Sequence, residues 1–431
     1  MMRRRVKKAD KQNWHGRLTW LKPGMGVKRW LMLLTLGVGF LSLGGALALR
    51  SLYPLPPYFY YLTLQFLPRG IRAGLILSLG LGMLGLGLWE LNHTIVEPFL
   101  SQTDQALPDV LYAYRHRERG PNIVIIGGGH GQATILRGLK AYSSNVSAIV
   151  TVADDGGSSG RLRRAMGILP PGDFRNCIAA LADDESLMTR LFQYRFASGQ
   201  DLKGHSFGNL FISAMAGITG SFESALKESS RVLAVRGGVL PSTLEAVTLC
   251  ADIERGSDQT LIRVEGESEI SKVRGSIVNL TLKPEAPAAY PGAVKAILDA
   301  EIVVMGPGSL YTSLLPNLMV PGIAEALRST QALKVYVCNV ATEPGETTNY
   351  TAEDHIAALE SHLGPEFCDI VLVNNAHSAE ILPEHLAWVE PVLKQRPEIR
   401  MIKARLISDA KPWQHDSEKL AEAIINLRRQ G

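Results

Sequence analysis

A short β-branched run ends directly at a cluster of glycines, and a helical pattern follows at once. The run is Asn122–Ile126, the cluster is Gly127–Gly131, and the helical pattern extends through Leu139. A strand, a tight loop and a helix in immediate succession form the repeating unit of α/β proteins. A second strand is predicted at Val146–Val152. This order of elements argues for a parallel sheet.

Further apolar runs of strand length recur along the rest of the chain. They lie at residues 302–305, 335–338 and 370–373. The alternation predicts a Rossmann-like α/β domain over residues 121–431, with a mostly parallel sheet and helices on both faces. Residues 172–230 are expected to be mostly helical. A small antiparallel appendage is predicted from three more strand-like runs, at residues 247–253, 261–264 and 277–282.

The segment before this domain contains two long runs of apolar sequence. The first, residues 30–49, has twenty uncharged residues and at about 1.5 Å per residue would span a hydrocarbon core of about 30 Å. The second, residues 71–91, spans if Arg72 and Glu90 extend to the interfaces. A cleaved signal peptide is the alternative for the first run, but its leader of 29 residues is too long. Residues 30–91 are therefore predicted to form a hairpin of two transmembrane helices.

The basic charge of the chain is concentrated at its N-terminus. Residues 1–29 carry ten Lys or Arg and one acid, whereas residues 50–72 carry three arginines. Because the more basic flank stays inside, the tail 1–29 is expected in the cytoplasm, and two spans return the chain there through a linker at residues 92–120. The expected location is the inner (cytoplasmic) membrane, with the C-terminal domain in the cytoplasm. Residues 30–431 hold 35 bases against 40 acids, which indicates no nucleic-acid partner.

The glycine cluster after the first strand has the features of a phosphate site. Its members are Gly127, Gly128, Gly129, His130 and Gly131. Absent side chains let a phosphate approach backbone N–H groups at the positive end of the following helix. The dinucleotide fingerprint G-x-G-x-x-G is incomplete, because its third glycine would fall on Gln132 or Thr134, so NAD is not expected. A tight turn that serves packing alone is the other interpretation.

Two adjacent acids and a glycine-serine run follow the second strand. The residues proposed to bind ligand or metal are Asp154, Asp155, Gly156, Gly157, Ser158, Ser159 and Arg161. Ligands of open α/β sheets bind at the carboxyl edge, so these residues are expected beside the first glycine loop. The two carboxylates suit Mg²⁺ or ligand hydroxyls, Asp155 is the candidate catalytic residue, and Arg161 suits phosphate oxygens. A solvated turn is the alternative.

The segment Gly204–Gly208 matches G-x-S-x-G, the nucleophile elbow of serine hydrolases. An elbow needs a buried strand directly before it, whereas Ala197–Lys203 is polar and loop-like. The better interpretation makes Ser206 the cap of an apolar helix at residues 209–218. The residues then expected to line the ligand cleft are Ser206, Gly208 and Asn209. His205 is either a ligand contact or a hydrogen-bonded loop residue.

A third glycine loop follows the strand at residues 302–305. Its candidate binding residues are Gly306, Gly308 and Ser309, and a helical segment begins at Leu310. Two such loops on one sheet edge can hold a diphosphate together. One more turn between strand and helix is the alternative. Residues 339–347 also follow a strand and are candidates for the rim of the site.

Seven motifs in order along residues 121–380 resemble the YvcK family. They are Gly127–Gly131, Val152–Leu162, Gly172–Asn176, Gly204–Asn209, Val239–Pro241, Gly306–Ser313 and Pro344–Thr347. Members of that family are called gluconeogenesis factors and are usually considered regulators. The resemblance implies binding of UDP-N-acetylglucosamine and a role in gluconeogenic growth, cell shape and envelope synthesis. A homo-oligomer and an envelope-synthesis protein are the candidate protein partners.

A looser resemblance connects the same domain to CofD, the 2-phospho-L-lactate transferase, which uses a nucleotide-activated phospholactate and Mg²⁺. It rests on the first glycine loop, Asp155 and Val239–Pro241. It implies a second hypothesis, a Mg²⁺-dependent transferase acting on a nucleotide-activated substrate. Two features depart from the YvcK pattern: His130 stands where Thr is common, and the membrane hairpin is an addition. Both hypotheses require the loops after three strands to converge on one crevice.

Overall fold

The chain divides into two units, Met1–His116 and Arg117–Gly431. The computed structural model describes residues 35–36, 38–39, 42, 60–61, 64–75, 78–83, 85–86, 117–182, 187–255, 260–365, 367–376, 382–394 and 398–428. Within these residues, no helix is both long and apolar enough to cross a membrane. The predicted tail 1–29, most of the predicted spans and most of the linker 92–120 lie outside the described residues, so they stay predictions.

The second unit is built on a parallel sheet of seven described strands. The strands along the described chain are β1 (Ile123–Gly127), β2 (Val146–Val150), β3 (Gly238–Pro241), β4 (Thr248–Arg255), β5 (Thr260–Glu265), β6 (Ser276–Lys283), β7 (Ile302–Met305), β8 (Leu333–Val337), β9 (Ile370–Asn374) and β10 (Arg400–Ala404). The large sheet has the order β10-β9-β8-β7-β1-β2-β3, and every neighbouring pair is parallel. The predicted α/β class and parallel sheet are confirmed.

The predicted antiparallel appendage is also confirmed. Strands β4, β5 and β6 form a separate sheet with the order β5-β4-β6, and both of its pairings are antiparallel. The appendage lies in the chain between β3 and β7. Its position allows the turn after β5 to reach the loop that follows β2, where the backbone N–H of Ser268 donates a hydrogen bond to the Asp155 carboxylate at 2.9 Å.

Helices connect most of these strands. They are α1 (Gly129–Leu139), α2 (Gly157–Met166), α3 (Gly172–Leu181), α4 (Leu187–Gln193), α5 (Phe207–Thr219), α6 (Phe222–Val232), α7 (Glu267–Ile270), α8 (Pro291–Leu298), a π-helix (Leu310–Leu314), α9 (Leu315–Leu318), α10 (Pro321–Ser329), α11 (Ala352–Leu363) and α12 (Ser417–Arg428). Helices α3 to α6 confirm the expectation of a mostly helical segment over residues 172–230.

The centre of the large sheet positions the site. Strand β1 is completely buried and lies between β7 and β2, so the carboxyl ends of these three strands are adjacent. Gly127 is opposite Val150 in the register, and Ile126 is opposite Met305. The buried amide of Gln132 fixes α1 against the sheet, because it donates hydrogen bonds to backbone carbonyls of both β1 and β2. The loops after β7, β1 and β2 therefore emerge side by side.

Candidate functional site

The loops after β7, β1 and β2 line one cavity of about 660 Å³, which we name the strand-end cavity. Residues 128–131 come from the loop after β1, Asp154 from the loop after β2, and residues 307–309 from the loop after β7. The three loops required by both functional hypotheses thus share a crevice. Its volume lies in the range of natural ligand sites, which runs from about 300 to 1,000 Å³.

The first and third glycine loops touch each other, which explains why they need glycine. A Cβ atom at Gly131 would overlap the backbone carbonyl of Pro307. Gly129 and Gly308 have φ angles of +64° and +152°, a region that side chains other than hydrogen disfavour. Asn339, after β8, holds the third loop from the other side, since it accepts from Gly308 N at 3.2 Å and donates to Gly308 O at 3.0 Å.

Helix α1 starts inside the cavity wall without a side-chain cap. Its first backbone N–H, at Gly129, donates to the Asp173 carboxylate at 2.8 Å. Basic groups stand on the same helix, since exposed His130 and Arg137 both line the cavity. The positive helix end and these side chains make this wall suitable for an anion.

Three carboxylates form a second face of the cavity, which we name the acid wall: Asp154, Asp173 and Glu267. Burial, followed by repulsion from Asp154, raises the pKa of Asp173 to about 6. Burial, followed by repulsion from Asp154, Asp155 and Asp173, raises the pKa of Glu267 to about 7. Burial also raises the pKa of Asp154, against hydrogen bonds from Gly156 N and the Ser159 hydroxyl. The acid wall is therefore short of positive charge.

Asp155 points away from the acid wall. It does not line the cavity, and its Oδ1 accepts the hydrogen bond from Ser268 N that begins α7. The structure therefore offers Asp154 and Asp173, rather than Asp155, to a ligand in the cavity. Within the described part of the chain, no three His, Cys, Asp or Glu side chains are arranged to hold a metal ion by themselves.

A buried pair of glutamates closes the cavity near the third loop. Glu343 lines the cavity, and burial raises its pKa. Glu346 accepts hydrogen bonds from the Thr312 hydroxyl at 2.8 Å and from Tyr311 N at 3.3 Å. Burial, followed by repulsion from Glu343, raises the pKa of Glu346 to about 8. Glu346 thereby anchors the π-helix that follows the glycine loop.

The remaining predicted residues form a hydrogen-bonded cluster beside the cavity. We name it the serine-histidine network; its members are Ser158, Arg161, His205, Ser206 and Asn209. Arg161 Nε donates to His205 Nε2 at 3.1 Å, so the ring proton of this histidine is on Nδ1, 2.9 Å from the Ser158 hydroxyl. Asn209 Nδ2 also donates to that hydroxyl, at 3.0 Å. Burial, followed by the Arg161 charge, lowers the pKa of His205.

Ser206 caps helix α5, as predicted from the sequence. Its hydroxyl accepts from Asn209 N at 3.3 Å and from Arg175 NH1 at 2.5 Å, and the residue is completely buried. The adjacent His205 ring bonds to Ser158 instead. Ser206 thus has neither the base nor the exposure that a serine nucleophile requires.

The structure separates the predicted binding residues into two groups. Those that line the cavity are Gly128, Gly129, His130, Gly131, Asp154, Gly308 and Ser309. Those outside its lining are Gly127, Asp155, Gly156, Gly157, Ser158, Ser159, Arg161, His205, Ser206, Gly208, Asn209 and Gly306. Whether either group binds ligand stays a prediction.

Sequence reasoning missed several residues of the cavity. These are Thr134, Arg137, Thr151, Asp173, Glu267, Leu386, Lys411, Trp413, Gln414 and His415. The positions His130, Thr134 and Arg137 have helical spacing, so their common face was available from the sequence. Asp173 lies inside a motif that carried the family resemblance. No local signal marks Glu267 or the residues after β10, because tertiary structure alone brings them to the site.

Comparison with known proteins agrees with the fold and the motifs. The family profile of the 2-phospho-L-lactate transferase CofD matches residues 123–430. A Nostoc protein, whose name also refers to a gluconeogenesis factor, is 46% identical over 425 residues, covering 94% of this chain and 91% of its own. The Bacillus subtilis gluconeogenesis factor is 44% identical over 322 residues, covering 72% of this chain and 99% of its own.

A solved structure is similar as well. The crystal structure of a Bacillus halodurans protein has a TM-score of 0.64 and 41% sequence identity, and the match covers 71% of this chain and 100% of that one. The relatives differ in how much of this chain they match: the Bacillus subtilis protein stops at 72%, whereas the Nostoc protein reaches 94%. The chain belongs to the gluconeogenesis factor (YvcK) family, and its residues 123–430 form a CofD-type domain.

Proposed function

We propose that the strand-end cavity binds a nucleotide-activated small molecule, with UDP-N-acetylglucosamine as the expected ligand. In this proposal the protein is a regulator needed for gluconeogenic growth, cell shape and envelope synthesis. The observation that carries the proposal is the convergence of two glycine loops and the start of α1 on one cavity. Backbone N–H groups at a helix start favour phosphate, and glycines leave the space that a diphosphate needs.

The two faces of the cavity support opposite ends of such a ligand. Arg137 and Lys411 provide positive charge for a diphosphate, whereas the acid wall and Glu343 provide acceptors for sugar hydroxyls. The glycine loops would hold the diphosphate between them. A ligand of this shape matches a cavity with both a basic and an acidic lining.

Calorimetric titration of the purified full chain with UDP-N-acetylglucosamine tests the proposal. We expect saturable binding at one site per chain, weaker binding of UDP, and no binding of free N-acetylglucosamine, which lacks the diphosphate. Gly131→Ala should abolish binding, because the new Cβ overlaps the Pro307 carbonyl and distorts both loops. Absence of binding at millimolar ligand would contradict the proposal.

A Mg²⁺-dependent transferase of the 2-phospho-L-lactate transferase type is the second candidate. It is favoured by the CofD match and by the acid wall, whose mutual repulsion a divalent cation would relieve. Mg²⁺ usually takes one or two carboxylates and completes its shell with water and substrate phosphates, so Asp154 and Asp173 fit it. Bound there, the ion would neutralise the charge of the phosphates. The glycine loops would orient the donor for transfer.

Turnover assays separate the two candidates. A transferase should release nucleotide from an activated phospholactate in the presence of a deazaflavin acceptor and Mg²⁺, and Asp154→Asn should abolish this release. Asp155→Asn, in contrast, should reduce it only through the lost contact with Ser268. Binding of UDP-N-acetylglucosamine without turnover on any nucleotide donor would leave the regulator.

We also propose that the N-terminal unit tethers the protein to the inner membrane, with the C-terminal unit in the cytoplasm. In the described helical residues of this unit, Ile71, Leu79 and Met83 are 56%, 62% and 68% exposed. Apolar side chains at such exposure favour a lipid or protein environment. Carbonate extraction of membranes tests the tether: the full chain should stay in the pellet, and recovery in the supernatant would contradict it. A homo-oligomer and an envelope-synthesis partner remain proposals.

A further inference from the structure

One wall of the strand-end cavity comes from the loop between β10 and α12. We name this the C-terminal wall; its members are Lys411, Trp413, Gln414 and His415. They belong to no motif that the family resemblance used. The loop is closed on itself, since Ile407 pairs with His415 in an antiparallel bridge and Asp416 N donates to Leu406 O at 2.7 Å. Its side chains are therefore held in place before any ligand enters.

His415 presents a hydrogen-bond acceptor without a partner. Its ring is hydrogen-bonded to the Cys338 backbone, a contact that raises its pKa and therefore involves the carbonyl. Nε2 is buried and has no partner within the described ranges, so the bond to Cys338 uses Nδ1–H and leaves Nε2 as an acceptor. Burial lowers the pKa of His415 to about 4 and keeps the ring neutral at neutral pH.

An unpartnered imidazole nitrogen does not by itself indicate a ligand. His355 and His362, on α11, also have a buried Nε2 that lacks a partner among the described residues. Neither of them lines the strand-end cavity, whereas His415 does. In addition, His415 lies two residues from Trp413, a half-buried indole on the same wall. A planar aromatic surface beside a directed acceptor is the combination that recognises a heteroaromatic ring.

We infer that the C-terminal wall recognises the base of the bound nucleotide, with Trp413 stacking on the ring and His415 Nε2 accepting a ring N–H. The inference rests on the proposed function, because it requires a nucleotide in the cavity. Lys411 and Gln414 provide N–H donors for base carbonyls on the same wall. This set matches the N–H beside C=O that uracil and guanine share.

The acceptor at His415 also excludes other bases. Cytosine and adenine have a bare nitrogen where uracil and guanine have the ring N–H, so two lone pairs would face each other. An interaction of this kind rejects the wrong ligand because buried polar groups stay unpaired. His415 is therefore the specificity-determining residue of the C-terminal wall.

Calorimetric titration of the full chain with UDP, GDP, CDP, ADP and inorganic pyrophosphate tests the inference. We expect UDP and GDP to bind about tenfold or more tightly than CDP and ADP. His415→Phe, which retains a ring but removes the acceptor, should weaken UDP by about tenfold and abolish the preference. Trp413→Ala should weaken all four nucleotides by roughly tenfold and leave pyrophosphate unchanged.

A matched control and the remaining outcomes separate this inference from the proposed function. His362→Phe makes the same substitution at an unpartnered histidine outside the cavity and should change no affinity. Binding of pyrophosphate and all four nucleotides without preference would overturn the role of His415 and leave the proposed function standing. Binding of none would overturn both. Should circular dichroism show that His415→Phe does not fold, the wild-type preference alone decides.

Discussion

The glycine loops and the serine-histidine network carry motifs of similar strength in the sequence, but the structure gives them different positions. The loop residues 128–131 and 307–309 line the strand-end cavity with backbone and open space. The network lies beside the cavity, and its polar atoms are engaged with one another. A side chain whose hydrogen bonds are satisfied internally has little left for a ligand. Motif strength therefore does not distinguish a binding surface from the frame that supports it.

The charges of the two regions differ in the same sense. In the network, each buried polar group has a donor or acceptor opposite it, and Arg175 faces Ser206 rather than the cavity. The acid wall instead collects three carboxylates with raised or repelled charge and no cation that compensates them within the lining described. Such an imbalance costs stability unless a ligand or ion relieves it. The network is thus expected to serve folding, and the cavity is expected to serve binding.

The largest effect is expected where the two glycine loops meet. Gly131→Ala places a Cβ onto the Pro307 carbonyl and should lower the free energy of unfolding by about 3 kcal/mol and abolish ligand binding. Gly217→Ala is the control, because an added Cβ on this helical glycine meets nothing within 4 Å. The control should stabilise the protein by up to about 1 kcal/mol. Urea denaturation measures both, and equal effects would remove the special role of the loop contact.

A pH-dependent effect is expected at the acid wall. Because the folded-state pKa values of Asp173 and Glu267 are about 6 and about 7, the unfolded chain loses these protons at lower pH than the folded chain. The free energy of unfolding should therefore fall as the pH rises from about 4 to 7. Asp173→Asn should remove part of this loss and stabilise the protein at pH 8 by about 2 kcal/mol.

The control for this prediction is the same variant at low pH. At pH 4 the Asp173 carboxyl is largely protonated in the folded protein, so Asp173→Asn should change the stability little. If Mg²⁺ binds at the acid wall, it should raise the thermal midpoint of the wild type at pH 8 more than at pH 5. Equal stabilisation by Asp173→Asn at both pH values would show that repulsion among these acids is not the cause.

A smaller effect should distinguish the network from the cavity. Ser206→Ala removes the cap of α5 and the partner of Arg175, so the free energy of unfolding should fall by about 2 kcal/mol. Ser221→Ala removes the cap of α6 without an arginine partner in the listed contacts of the described structure and should cost about 1 kcal/mol. Both variants should retain ligand affinity. A tenfold loss of affinity in Ser206→Ala alone would place the network in the binding site.

Local patterns predicted the central strands, and the edge strands show where such patterns stop. Strands β1 and β7 are buried throughout, so their runs of Ile and Val are unmistakable. Strands β3 and β10 form the two edges of the sheet, are partly exposed, and have weaker apolar runs. A strand that buries only part of its surface needs fewer apolar residues, and its sequence signal fades accordingly. That is why β3 and β10 were missed.

The candidate site shows the same limit. The glycine loops were predictable because strand order alone brings their ends together. The direction of Asp155 was not, since it depends on Ser268, 113 residues away in the chain. Lys411, Trp413 and His415 reach the cavity through the packing of α12 against α1, which has no local signature. Contacts between distant segments therefore decide which of two neighbouring acids faces a ligand.

The smallest effect, and the finest test of the network, concerns Arg161. Its guanidinium donates to His205 Nε2 and fixes the ring proton on Nδ1, and it is exposed enough to be replaced without disturbing the core. Arg161→Gln should change stability by less than about 0.5 kcal/mol. The pKa of His205 should rise, because one positive neighbour is lost while burial and Arg195 continue to lower it. Histidine nitrogen shifts measured by NMR across the pH range follow this change. An unchanged His205 pKa would mean that burial alone keeps the ring neutral, and Arg161 would then be available to a phosphate, as the sequence first suggested.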